Sequence, residues 1–114
     1  MLPRGQRIAR EFFPRHTERS FLWNGAVLRA RLYSSEQTGN APRFSIVVAK
    51  KYSKSAVVRN RFRRQVYALI AEQLKVSSPL RVGRFVISPK HAIGEISPEL
   101  LLSDVLSLFA HARI

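Results

Sequence analysis

The segment that most constrains the fold is 56–76, in which apolar side chains recur at helical spacing. At about 100° per residue, one side of a helix over this segment would carry Val58, Phe62, Val66, Leu69 and Val76. The opposite side would carry Asn60, Arg64 and Tyr67, with Arg61 and Arg63 on its flanks. The pattern predicts an amphipathic helix with one apolar face and one largely cationic face.

Extended segments lie on both sides of this helix. Residues 43–49 (RFSIVVA) are rich in β-branched side chains and predict a strand. Its bulky face would consist of Phe44, Ile46 and Val48, and its smaller opposite face of Ser45, Val47 and Ala49. Residues 84–88 (RFVIS) predict a further strand after the helix.

Residues 21–33 also have the alternation of a strand. Leu28, Ala30 and Leu32 would point to one side, and Arg29, Arg31 and Tyr33 to the other. A bend within this stretch would divide it into two strands.

Two further helices are predicted near the ends of the chain. A short one covers about 4–13, with Ile8 and Phe12 on one face, and is ended by Pro14. The last helix begins at Pro98 after a capping Ser97. Its core-facing stripe would consist of Leu101, Val105, Leu108 and Ala112.

Together these segments predict one domain, 1–114, of the α+β class. The expected architecture is a two-layer sandwich, with helices packed on a mixed sheet of about four strands. An apolar content of 46% is sufficient for a packed core in a chain of 114 residues.

The charge of the chain points to a polyanionic partner. Twenty Lys and Arg residues face seven Asp and Glu, which gives a formal net charge of +13. Nucleic acid is the favoured partner, because phosphate neutralisation releases counterions and drives binding. An anionic membrane surface is the alternative.

Much of the positive charge lies in 37–71, which contains no acidic residue. Its basic residues are Arg43, Lys50, Lys51, Lys54, Arg59, Arg61, Arg63 and Arg64. Arg59 and Arg63 are like charges one helical turn apart, and cations in the first half of a helix oppose its dipole. A bound ligand explains this arrangement better than a merely solvated helix face, which usually mixes charge signs.

Several classes of function are not favoured. The chain has no cysteine, so a disulfide framework and a thiolate metal site are excluded. It has no apolar run as long as a membrane span and no secretory signal, so we expect a soluble cytoplasmic protein. His16, His91 and His111 are scattered, and the carboxylates form no close pair, so catalysis by the protein alone is not expected.

The residues around Arg59 resemble a known family. Arg59-Asn60-Arg61, followed by two more basic residues, is similar to the RNR signature of the bacterial ribonuclease P protein. A strand ending in a Lys-Lys pair (IVVAKK, 46–51) and a short loop precede it, as in that family. The opening Leu2-Pro3, with Arg7 nearby, is also similar to the family pattern.

The resemblance implies a fold and a function. The family fold is an α+β sandwich with a left-handed βαβ crossover, an exception to the usual hand. The family's protein is a non-catalytic subunit that assists a catalytic RNA in removing the 5′ leader from precursor tRNA. Cleavage depends on Mg²⁺ held mainly by the RNA and the substrate, and the protein is expected to be a monomer within the holoenzyme, without a membrane partner.

The resemblance also implies two RNA-binding surfaces. The surface toward the catalytic RNA would consist of Lys50, Lys51, Lys54, Arg59, Asn60, Arg61, Arg63 and Arg64. A cleft for the single-stranded leader would lie between the first helix and the sheet, formed by Phe12, Arg29, Arg31, Tyr33 and Ser45. Tyr67 stands where the family often has a basic residue, so stacking could replace a charge contact there.

Two other interpretations remain open at this stage. A ribosomal or other structural RNA-binding protein of similar fold would have the same size and charge, and only the KK-loop-RNR pattern separates it. A helix bound to a membrane surface is less favoured, because the sheet requires the aliphatic face of 58–76.

Overall fold

The computed structural model describes residues 7–8, 13–14, 19–33, 42–76 and 83–112. These residues form a four-stranded sheet with two helices. The strands are β1 (Phe21–Asn24), β2 (Leu28–Tyr33), β3 (Arg43–Ile46) and β4 (Arg84–Pro89), and the helices are α1 (Ala56–Val76) and α2 (Pro98–Ala112). Single 3₁₀ turns lie at Lys50–Tyr52 and Ile93–Glu95. The predicted α+β class and mixed sheet are confirmed.

The sheet has the strand order β1-β2-β4-β3. β1 and β4 each pair antiparallel with β2, and β3 pairs parallel with β4. The parallel pair is connected through α1, so β3, α1 and β4 form a βαβ unit. The left-handed crossing implied by the family resemblance stays a prediction.

One face of the sheet carries the core. Leu28 and Ala30 of β2 are fully buried, and the predicted bulky side chains Phe44, Ile46 and Val48 are buried in and just after β3. The ring of Phe44 in β3 stacks on Phe85 at 4.9 Å between centroids and lies 6.1 Å from Phe109 of α2. The other side of β3 is more open, with Val47 exposed and Ser45 half-buried. The alternation predicted from the sequence is therefore confirmed.

Both helices begin at serine caps. The Ser55 Oγ accepts a hydrogen bond from the Val58 N–H at 3.2 Å, and the Ser97 Oγ accepts one from the Leu100 N–H at 3.2 Å. Each cap satisfies a backbone donor that has no partner inside the helix. The four α2 residues predicted to face the core, Leu101, Val105, Leu108 and Ala112, are all buried.

The buried side of α1 differs in part from the prediction. Phe62 and Val66 are buried as expected, and Ile70 completes a stripe at i, i+4 spacing. Val76 was predicted on this side, but it is 77% exposed. It is the last residue of the helix, and the drift of an i, i+4 stripe around the helix takes the buried face away from it.

The predicted N-terminal helix is wrong at residues 7–8. Arg7 forms a parallel β-bridge with Phe44, and the Ile8 N–H donates to the Phe44 carbonyl at 2.9 Å. β3 is the last strand of the sheet, so its outer edge presents backbone groups that an extended segment can satisfy. The rest of the predicted segment, except Phe13, lies outside the described residues, and this includes Phe12.

A buried carboxylate joins α2 to the β1–β2 connection. Asp104, which is 5% exposed, accepts hydrogen bonds from the N–H groups of Ala26, Val27 and Leu28 at 2.8–3.0 Å. Gly25 passes so close that a Cβ there would lie 2.5 Å from the Asp104 carboxylate. The sequence analysis did not identify this contact.

Candidate nucleic-acid interface

The predicted RNA-binding side chains come together at the start of α1 and in the loop before it. Lys50, Lys51, Lys54, Asn60, Arg61 and Arg64 are exposed, and Arg59 and Arg63 are half-buried. The β3–α1 connection places the lysines beside the first turns of the helix because the intervening loop is short. All eight predicted residues thus lie in the loop before α1 or in its first half.

Arg59 stabilises the loop as well as adding charge. Its Nη1 donates to the Ser53 carbonyl at 2.8 Å, and its backbone N–H donates to the Ser55 carbonyl at 3.0 Å. A guanidinium used in this way restrains the loop against the helix. Arg59 keeps further N–H donors for a ligand, because a guanidinium carries more donors than these contacts use.

Arg63 is oriented by its neighbour Asn60. Its Nη1 donates to the Asn60 Oδ1 at 2.6 Å. This contact uses the acceptor of the Asn60 amide and leaves the amide N–H₂ group as a donor. The pair therefore presents hydrogen-bond donors outward.

Arg61 and Arg64 differ from Arg59 and Arg63. Both are exposed, and neither forms a hydrogen bond or ion pair with any residue in the described ranges. No carboxylate occurs in the surrounding sequence 37–71 to neutralise them. Their full donor capacity is available to phosphate oxygens, which guanidinium groups bind in bidentate geometry.

A cleft adjoins this surface. It has a volume of about 460 Å³ and is lined by Arg7, Asn60, Arg63, Arg64 and Tyr67. Arg7 reaches it because the bridge to Phe44 places residues 7–8 along the outer edge of β3. The sequence analysis did not place Arg7 or Tyr67 in a common site, since no local pattern reveals a β-bridge between residues this far apart in sequence.

Tyr67 is more constrained than the helical wheel predicted. It was placed on the polar side of α1, but it is half-buried and packs against the core. Its hydroxyl oxygen accepts a hydrogen bond from the Ile46 N–H at 3.2 Å. The ring therefore joins α1 to β3.

The predicted leader-binding side chains of the strands lie on the face of the sheet opposite the core. Register places Arg31, Val86 and Ser45 side by side across β2, β4 and β3. Arg29 and Tyr33 flank Arg31 on the same face of β2. The structure therefore brings four of the five predicted residues together, and the fifth, Phe12, lies outside the described residues.

This face includes an arginine that sequence reasoning missed. Arg84 is only 2% exposed, and its guanidinium carbon lies 5.7 Å from the centre of the Tyr33 ring. Arg31, by contrast, is exposed, and its Nη1 donates to the Ser20 Oγ at 3.2 Å. The accessible groups of this face, the exposed Arg31 and the half-buried Arg29 and Tyr33, combine an aromatic ring with cations. Such a combination binds single strands with little sequence preference.

The described interface offers donors and cations rather than metal ligands. Within the described ranges, no group of three or more His, Cys, Asp or Glu is placed to hold a metal ion. Guanidinium and amide N–H groups fit an anion and do not fit Mg²⁺. No helix in the described part of the chain is long and apolar enough to cross a membrane.

The fold and this surface define a small basic α+β protein whose signature helix presents a donor-rich face suited to RNA phosphates. Comparison with known families identifies the family: the model described as Ribonuclease P matches residues 23–113. The chain belongs to the ribonuclease P protein family. This membership separates it from the ribosomal-protein alternative.

Curated relatives agree with the family. A ribonuclease P protein component of Pseudanabaena is 31% identical, with the alignment covering 100% of this chain and 97% of the relative. One of Rippkaea orientalis is 37% identical over 77% of this chain and 68% of the relative.

Solved structures agree with the fold. The ribonuclease P protein of Thermotoga maritima superposes with a TM-score of 0.68 at 15% identity, covering 83% of this chain and 86% of that one. The Staphylococcus aureus protein gives a TM-score of 0.57 at 15% identity, covering 81% and 79%.

Proposed function

We propose that this chain is the protein subunit of a ribonuclease P holoenzyme that matures the 5′ ends of tRNAs. It binds the catalytic RNA through the α1 surface, which consists of Lys50, Lys51, Lys54, Arg59, Asn60, Arg61, Arg63 and Arg64. It binds the 5′ leader of precursor tRNA on the open face of the sheet. Family membership supports the first assignment, and the chemistry of the sheet face supports the second.

The observation that carries this proposal is the state of Arg61 and Arg64. Both lie on the exposed side of the signature helix without an internal partner in the described part of the chain. Like charges near a helix N-terminus destabilise the free helix slightly. Phosphates of a bound RNA remove that penalty and gain bidentate hydrogen bonds.

The sheet face suits a single-stranded segment for a different reason. Tyr33 provides a ring on which a base can stack, and Arg31 provides an exposed cation for the adjoining phosphate. Ser45 is small and half-buried, so it allows the RNA leader to lie close to the sheet. A mature tRNA has no leader, so this face would favour the precursor.

In the proposed division of labour, the RNA performs the cleavage and the protein improves substrate binding. Mg²⁺ would be held by the RNA and the substrate and would supply the activated water and stabilise charge at the phosphate. The protein's cations lower the repulsion between two RNA molecules that must approach each other. The subunit itself acts as a monomer in this scheme.

Reconstitution tests the proposal. Purified protein, the catalytic RNA of the same organism and a labelled precursor tRNA are combined at low magnesium concentration. We expect cleavage at the mature 5′ end with both components, and none with the protein alone. Cleavage by RNA-free protein, or no stimulation of the RNA by the protein, would contradict the proposed function.

A further inference from the structure

The cleft between Arg7 and α1 is lined mainly by hydrogen-bond donors and positive charges. Among the described residues, its lining includes Arg7, Arg63 and Arg64 and no carboxylate. Two side-chain acceptors in the described lining already accept one hydrogen bond each: Asn60 Oδ1 from Arg63, and the Tyr67 oxygen from the Ile46 N–H. The cleft therefore offers a ligand mainly donors.

Arg7 gives an independent sign of a missing partner. Its Nε is buried and has no hydrogen-bond partner among the residues that the structure describes. A buried N–H without a partner costs about 1–3 kcal/mol, so such groups are uncommon in a ligand-free fold. The Arg7 Nε thus lacks an acceptor within the described residues, while the residue itself lines the cleft.

The cleft is larger than one phosphate requires and has an aromatic wall. Its volume of about 460 Å³ falls within the size range of small-ligand sites. The Tyr67 ring cannot swing freely, because its hydroxyl is held by β3 at 3.2 Å. A ring fixed in advance stacks on a base with a small loss of conformational entropy.

We propose that this cleft holds one nucleotide of an RNA partner, with its base against Tyr67 and its phosphate on Arg7, Arg63 and Arg64. Tyr67 thereby contributes affinity through stacking at a position where a basic residue would contribute through charge. The inference rests on the proposed function and adds a base contact to it. The nucleotide belongs either to the catalytic RNA or to the precursor leader, and both have the same chemistry.

Two oligonucleotides test the base contact directly. The first is a single-stranded RNA pentamer, and the second is a pentamer of the same backbone without bases. Wild-type protein should bind the pentamer more tightly than the abasic strand. Tyr67→Leu should reduce this preference by about 5- to 150-fold, the range for one stacked base, while Tyr67→Phe should retain most of it.

The arginine side of the cleft is tested with the same strands. Arg7→Gln should weaken both oligonucleotides by the same factor, because both contain the phosphate. Lys75→Gln removes one charge from the exposed end of α1, outside the cleft, and is the matched control. An unchanged preference in Tyr67→Leu with an intact fold, or equal effects of Arg7→Gln and Lys75→Gln, would overturn the proposal.

Two further measurements identify the source of the nucleotide: the affinity for the catalytic RNA, and the ratio of precursor to mature tRNA affinity of the holoenzyme. If Tyr67→Leu weakens binding to the catalytic RNA, the nucleotide is part of that RNA. If it lowers the precursor-to-mature affinity ratio of the holoenzyme, the nucleotide is in the leader. Should Arg61→Ala weaken RNA assembly while Tyr67→Leu and Arg7→Gln change neither affinity, the cleft proposal fails and the proposed function stands.

Discussion

The charges in two regions of this molecule, α2 and the first half of α1, are used in opposite ways. Asp104 in α2 is buried, and its carboxylate accepts three backbone hydrogen bonds from the β1–β2 connection. Arg61 and Arg64 in α1 are exposed and have no partner in the described part of the chain. The first charge stabilises the fold, and the other two remain available to a ligand.

The difference shows that the number of charges says little about function, whereas their partners say much. A buried carboxylate with three donors is costly to remove, because each donor then loses its acceptor. An exposed arginine contributes almost nothing to folding. The same change to alanine should therefore affect stability in one region and RNA affinity in the other.

The largest effect is expected at Asp104. Asp104→Ala leaves the N–H groups of Ala26, Val27 and Leu28 without acceptors and should lower the free energy of unfolding by about 3 kcal/mol or more. Urea unfolding measures this value. Ser103→Ala, an exposed neighbour in α2, is the control and should change stability by less than about 0.5 kcal/mol. Equal stability of the two variants would contradict the structural role assigned to Asp104.

The next effect is expected at the exposed arginines. Arg61→Ala and Arg64→Ala should each weaken binding to the catalytic RNA by about 1–3 kcal/mol, the value of a charged hydrogen bond. Unfolding curves of both variants should match wild type. A loss of stability like that of Asp104→Ala would show that these arginines serve the fold instead.

A smaller and more selective effect is expected on the open face of the sheet. Arg31→Ala and Tyr33→Ala should leave assembly with the catalytic RNA unchanged, because neither belongs to the α1 surface. Both should reduce the ratio of precursor to mature tRNA affinity. For Tyr33→Ala, the difference between the two binding free energies should shrink by about 1–3 kcal/mol, the value of a lost stacking ring. If the helix variants change this ratio and the strand variants do not, the two surfaces have been assigned in reverse.

Local patterns predicted much of the fold. The bounds of α1 follow from periodicity within a few residues, and the cap at Ser97 follows from capping chemistry. The cap at Ser55 was not predicted. The two faces of β3 follow from alternation alone. The residues proposed for the α1 surface could be grouped from the sequence, because they lie close together in the chain, and their role stays a prediction.

Contacts between distant segments could not be predicted. Asp104 appears in sequence as one polar residue in an apolar helix, and nothing near it indicates the donors at 26–28. Arg7 pairs with Phe44 in a β-bridge between segments far apart in sequence, where a short helix was expected. Arg84 is buried although it is charged, and its position depends on strand order, which is a non-local property. The bridge between Arg7 and Phe44 brings Arg7 to the cleft, and the strand order brings Arg84 beside Tyr33.

The salt dependence of RNA binding tests most directly the claim that the arginines of α1 are held for phosphates. The affinity of wild type and of the Arg61→Ala, Arg64→Ala double variant for the catalytic RNA is measured over a range of salt concentrations. Log affinity should fall with log salt by about 0.7–0.9 per phosphate contact, and the double variant should have a slope shallower by about two contacts. A nearly flat dependence for wild type, or the same slope for both proteins, would mean that these charges are only a solvated surface.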